Sequence, residues 1–124
     1  MELSVVTLWS GFSPIHAELT QYLSSEAWPL PSRFVWVVNT NDPDTKRVVD
    51  DCGHRLIAKG HRLDVIECLD KPVDGVMGKH KHIANLYNLA LPKLETAVVL
   101  VVEDDSLPLP GAYARAGVRS LWCA

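Results

Sequence analysis

Long apolar runs, a basic excess, paired cysteines and internal repeats are all missing from this sequence, and each absence closes off a class of function. No apolar stretch approaches the about 18 residues that a membrane-spanning helix requires, so no integral membrane segment is expected. The opening MELSVVTLWSGF has neither a basic leader nor a small-residue cleavage site, so it does not read as a secretory signal. Basic side chains number 12 against 15 acidic ones, and a formal net charge of −3 gives no general attraction to nucleic acid or to an anionic membrane. The 3 cysteines, Cys52, Cys68 and Cys123, are odd in number and form no C-x-x-C pair. A reduced, cytoplasmic chain is the simplest expectation. No low-complexity tract or sustained heptad period marks a fibrous or disordered protein, and 48% hydrophobic residues over 124 positions suffice for one core. A single domain spanning 1–124 is therefore expected.

Four stretches read as strands: Leu3–Trp9, Phe34–Asn39, Leu63–Cys68 and Ala97–Val102. All but the third are nearly continuous β-branched and aromatic runs, as in strands buried on both faces. The third carries Asp64 and Glu67 and is expected at an edge. Strand starts recur about every 30 residues, the size of a βαβ unit. Between them lie helical patterns. Ser13 and Pro14 open the first, with Ile15, Leu19, Tyr22 and Leu23 on one face. Asp42 and Pro43 open the second, with a stripe of Val48, Val49, Cys52 and Leu56. A third fits Lys79 to Leu91, with Ile83, Leu86, Tyr87 and Leu91 on one side and Pro92 ending or kinking it. Pro29–Ser32 and Lys71–Gly78 read as loops. The pattern predicts an α/β, three-layer, Rossmann-like and mainly parallel sheet with right-handed crossovers and strand order 3-2-1-4. Ligands of such sheets bind outside the carboxyl ends of the strands, so the residues just after each strand are the ones to examine.

The sharpest of these is Glu103-Asp104-Asp105, directly after AVVLVV and ahead of Pro108 and Pro110. Three adjacent acids repel one another unless a cation or hydrogen-bond donors offset the charge. Two readings are open. One is a solvated turn whose acids cap a following helix. The other is a site for Mg²⁺ or Mn²⁺, held by one or two carboxylates together with substrate phosphates.

In their order and spacing, VVTLWSGFSP, VWVVNTNDPDT, KHIANLYNLAL and AVVLVVEDDSLPLPG resemble the inverting family-two glycosyltransferases, which have the GT-A fold. The resemblance runs from about Leu3 to Gly111. It implies that the chain corresponds to the half that binds a nucleotide-diphosphate sugar. Glu103 and Asp105 then stand at the two acidic positions of the family's Asp-x-Asp motif, Glu103 near the ribose and Asp105 at the diphosphate-bound metal. Asp104 fills the variable position between them. Trp9 and Ser10 match the turn after the first strand, at the base. Asn39, Asn41 and Asp42 match the polar turn after the second, with Asn39 where an aspartate commonly stands. Asn85 matches the helix asparagine, and Lys79 or Lys81 is placed to reach a phosphate oxygen. A metal at Asp105 with a lysine nearby would stabilise the charge that develops on the departing nucleoside diphosphate. The general base of an inverting transfer lies, in this family, beyond the acidic motif, and the few residues after Asp105 offer no candidate. The length therefore fits the nucleotide half and not the acceptor half.

Other residues carry weaker signals. In Lys79-His80-Lys81-His82, side chains two apart on a helix diverge and cannot share an ion, though the cluster suits a phosphate patch. His16, His54 and His61 lack ligand spacing and read as solvated or locally hydrogen-bonded. Cys52 and Cys68 read as core thiols. Cys123 has no paired histidine and is not expected to be a nucleophile. The aromatic residues read as core, with Trp9 at the ligand edge the exception. A phospho-accepting receiver domain would need acids after the first strand, where this chain has Trp-Ser-Gly-Phe. The non-enzymatic alternative is a GT-A-like module that works by nucleotide binding or association. In order 3-2-1-4, AVVLVV is an edge strand, and native proteins cover such edges. The expected cover is Val118–Cys123 folding back or a second copy, hence a homodimer or higher homo-oligomer.

Overall fold

Four β-rich runs pair side by side and all point the same way. The computed structural model describes residues 3–11, 14–94, 96, 98–105, 107–109 and 111–113. Its strands are β1 (Leu3–Ser10), β2 (Arg33–Asn39), β3 (Arg62–Glu67) and β4 (Val98–Val101). They form one parallel sheet in the order β3-β2-β1-β4, as the alternating pattern predicts. Register places Thr7 opposite Trp36 and Trp9 opposite Val38 across β1 and β2. β3 alternates exposed and half-buried residues, the mark of the edge that Asp64 and Glu67 announce.

The helices are α1 (His16–Ser25), α2 (Pro43–Ala58) and α3 (Val76–Ala90), followed by a 3₁₀ turn at Leu91–Lys93. Alternation along the strands splits the core between two faces. Leu3, Val5 and Trp9 of β1 and Phe34, Trp36 and Val38 of β2 meet Leu19, Tyr22 and Leu23 of α1 and Val49, Cys52 and Leu56 of α2. On the opposite face Val6, Leu8, Val35 and Val37 meet Leu86 and Ala90 of α3. The result is the expected three-layer α/β arrangement.

Local signals explain α2 best. Asp42 accepts a hydrogen bond from Thr45 N–H (2.9 Å), and Pro43 stands in the first turn, where its missing N–H costs nothing. α1 differs from expectation: its cap is Ile15, with no side-chain cap bond, and Ser13 lies outside the described residues. α3 also differs. It begins at Val76, three residues before Lys79, and its buried residues are Leu86 and Ala90, with Tyr87 partly buried against them. Ile83 is 46% exposed, because the C-terminal part of α3 lies over the sheet while the first half overhangs its edge; Leu91 falls past the end of α3, in the 3₁₀ turn, and is 56% exposed. Among the described residues no helix is long and apolar enough to cross a membrane.

Candidate functional site

All four strands end on one edge, and side-chain hydrogen bonds tie the turns there into a continuous rim. After β1, Gly11 takes φ +56°, a left-handed conformation suited to glycine, and its carbonyl accepts from the Thr40 hydroxyl (2.8 Å). Thr40 Oγ1 in turn accepts from Asp42 N–H (3.0 Å), so the turns after β1 and β2 are bound to each other. Asn39 joins the second turn to the third. Its Nδ2 donates to the carbonyls of Cys68 (2.5 Å) and Asp70 (2.9 Å), and its Oδ1 accepts from His82 Nε2 (3.3 Å) on α3.

The acidic turn after β4 closes the rim. Its middle residue points inward: Asp104 Oδ2 accepts from Ser10 N–H (2.9 Å), from the Ser10 hydroxyl (3.4 Å) and from His16 Nε2 (3.0 Å). The other ring nitrogen of His16 meets Thr45 Oγ1 at 2.8 Å. An ionised carboxylate only accepts, so Nε2 carries the ring proton, and in the neutral ring Nδ1 accepts from the Thr45 hydroxyl. His16 is 2% exposed and sits edge-on to Trp9, with ring centroids 5.4 Å apart. Glu103 and Asp105, on either side of the anchored Asp104, are exposed. Tyr87, half-buried beside this turn, has its phenol pushed up to about 12, first by burial and then by the charges of Glu103, Asp104 and Asp105.

Beside the rim lies a cavity of about 680 Å³ between the β3–α3 loop and α3. Asp70, Lys71, Met77, Lys81, His82 and Asn85 are in its wall. Gly78 also lines it, and a Cβ there would run into the Val73 carbonyl, so the helix start can pack under the loop only as glycine. Glu103 lines a separate apolar groove of about 250 Å³ with Tyr87 and Val101.

The sequence-selected residues are therefore sorted by the structure. Ser10, Asn39, Asp42 and Asp104 are joined by the rim network. Lys81 and Asn85 share the cavity, and Asn41 is exposed beside Asp42. Trp9 departs from expectation. Its indole is fully buried between His16 and Trp36, because this position of β1 faces α1 and α2, so the side chain offers a ligand no surface. Asp104, assigned only the variable position, is the anchored acid. The sequence reads His16 as no more than a solvated or locally hydrogen-bonded histidine and carries no signal for Thr45, although each stands in the first turn of a helix that begins at the ligand edge.

The residues suit a hard cation in one way only. Among the described residues no three His, Cys, Asp or Glu side chains form a metal cage. Two exposed carboxylates in one turn match an ion held mainly by substrate phosphates. Cys52 is buried, its thiol pushed up to about 12 by burial against smaller opposing effects of Arg55 and Lys59, while Cys68 is half-buried. Cys123 and Val118–Cys123 lie outside the described residues.

Comparison with known proteins shows where this fold occurs. No protein-family model matches the sequence, and no curated protein matches it. Solved structures do. TarS of S. aureus, a GT-A-type glycosyltransferase, superposes with a TM-score of 0.68 at 20% identity over 94% of this chain and 19% of TarS. TarS 1–349 in complex with UDP-GlcNAc gives 0.60 at 21% identity, over 85% of this chain and 27% of that one. The same fragment in complex with UDP gives 0.56 at 19% identity, over 85% and 28%. The chain thus spans about a fifth to a quarter of the length of these neighbours and shares the fold of that part.

Proposed function

We propose that this chain is the nucleotide-sugar-binding part of a glycosyltransferase-like protein and that its ligand is a nucleotide-diphosphate sugar. One observation carries the reading: an acidic turn, anchored by its middle residue, stands at the carboxyl end of β4 in a fold shared with TarS, which has been solved with UDP-GlcNAc and with UDP. Glu103 and Asp105 would hold Mg²⁺ or Mn²⁺, Asp105 at the metal and Glu103 toward the ribose. When bound, the ion neutralises charge on the diphosphate as it leaves. The remaining work falls to the chain. Lys81 and Asn85 line the cavity beside the rim, where an ammonium and an amide suit phosphate oxygens and polar nucleoside groups. Ser10, Asn41 and Asp42 form the polar turns at the base. Inverting transfer belongs to the same reading, with the base that deprotonates the acceptor supplied from outside the described residues.

Calorimetric titration with UDP and with GDP, each with and without Mn²⁺, tests this. Metal-dependent heat with one of them, lost in Asp105→Ala, is the expected result. Heat that does not depend on metal, or binding unchanged in Asp105→Ala, refutes the metal site.

A second reading is favoured by the β4 edge. Among the described residues β4 pairs only with β1, and Val101 on it and Leu91 beside it are exposed. A second copy pairing there would make the chain a homodimer or higher oligomer, acting by association with or without nucleotide. Light scattering decides: a monomer at micromolar concentration removes this reading.

A further inference from the structure

His16 is the residue through which the most distant parts of the rim communicate. It lies on α1, yet one ring nitrogen holds Asp104 of the β4 turn and the other meets Thr45 on α2. Thr45 also donates its N–H to Asp42, in the turn after β2. A single chain of hydrogen bonds, Asp42 to Thr45 to His16 to Asp104 to Ser10, therefore crosses the sheet edge beneath the acidic turn. Every ring position of His16 is committed: both nitrogens are bonded and the ring packs edge-on to Trp9. A solvated helix-start histidine would show none of this. The carboxylate it holds is only 15% exposed, whereas the acids on either side of it are open to solvent.

We propose that His16 is a positioning residue of this site: by holding Asp104 inward against Ser10 it fixes the direction in which Glu103 and Asp105 present their carboxylates, and through Thr45 it couples that direction to the turn after β2. The physical ground is short. Asp104 is covalently next to both exposed acids, so fixing its side chain and its contact with the Ser10 amide removes most of the freedom of a turn that would otherwise splay under like-charge repulsion. Partners behind metal-binding carboxylates orient them in this way, and their loss weakens metal affinity by about 10- to 100-fold. The inference rests on the reading of Asp105 as the metal-holding acid.

The test compares His16→Leu, which removes both hydrogen bonds, with His16→Gln, whose terminal amide reaches the Nε2 position and still donates to Asp104. Two quantities are read on the whole chain: the ratio of UDP affinities with and without Mn²⁺, and the hydrogen-exchange rate of the Ser10 amide. The expected result is a ratio about tenfold lower in His16→Leu, restored in His16→Gln, with faster Ser10 exchange only in His16→Leu. A ratio unchanged in His16→Leu overturns the proposal. So does equal loss in both variants with matching falls in thermal stability, which marks a structural role alone. If the unaltered protein shows no metal-dependent UDP binding, the reading of Asp105 fails, and Ser10 exchange alone decides the role of His16: faster in His16→Leu supports it, unchanged refutes it. Should His16→Leu not fold, the nearly isosteric Thr45→Val removes only the hydroxyl that orients the ring, and the same two quantities are read on it.

Discussion

Replacing Asn39 separates two roles that the same position can play, reading a base or building the site. In the structure it builds. Its amide nitrogen donates to Cys68 O at 2.5 Å and Asp70 O at 2.9 Å, holding the β3–α3 loop that forms one wall of the cavity. Each such bond contributes about 0.5–1.5 kcal/mol net. The Asp70 carbonyl is exposed and water can replace its donor, and the third contact, from His82, is long at 3.3 Å. Asn39→Ala is therefore expected to cost about 1–2 kcal/mol in total. At this chain length that corresponds to a fall in Tm of roughly 4–8 °C. Asn39→Asp is expected to cost more than Asn39→Ala, because an ionised carboxylate has no donor and would face two carbonyl oxygens. Urea denaturation with an unchanged m-value, followed in both variants, measures this. Asn39→Asp as stable as the unaltered protein would refute the reasoning. Full stability with loss of nucleotide binding would return Asn39 to base reading.

Stability should also depend on pH through His61. Ser32 N–H donates to its Nδ1 (3.0 Å), so that nitrogen must stay unprotonated, and burial, then the Lys59 charge, hold the ring below its ordinary value of 6.5. The unfolded ring takes its proton first, so stability is full above about 6.5 and falls as pH drops below it toward the native value, a slope that His61→Asn should lessen in urea midpoints at pH 7.5 and 5.5. Cys52, with its thiol at about 12 and no exposure, should resist alkylation at pH 8 until the protein unfolds, while half-buried Cys68 reacts sooner; mass spectrometry of labelled peptides distinguishes them. Gly78→Ala should destabilise α3 at its start despite alanine's better helix propensity, because its Cβ meets the Val73 carbonyl, and a higher melting temperature would contradict the close packing there.

What could be read from the sequence was what is local or periodic. The β-branched runs gave the strands, their spacing and order followed from βαβ logic, and Asp42-Pro43 marked the start of α2 because a cap is a contact three residues long. The buried side of α3 was not legible. Ile83 fits its apolar stripe as well as Leu86 does, and only the overhang of the helix beyond the sheet decides which of them is covered, while Leu91 falls past the helix end, in the 3₁₀ turn. Trp9 failed for a related reason: a central strand is apolar on both faces, so nothing in LSVVTLWS says whether its last aromatic closes the core or lines the edge. The acidic turn was found because it breaks an apolar run, yet which acid points inward depends on His16, 88 residues earlier, and no spacing rule spans that distance.

Paramagnetic broadening by Mn²⁺ tests the central claim most directly, because it locates the ion as well as detecting it. With UDP present, amide signals of Glu103, Asp104, Asp105 and Ser10 should broaden first, those of Lys81 and Asn85 next, and Asp105→Ala should abolish the effect. Broadening that centres on His80 and His82, or that is the same with and without UDP and in Asp105→Ala, would contradict a nucleotide site built on the acidic turn.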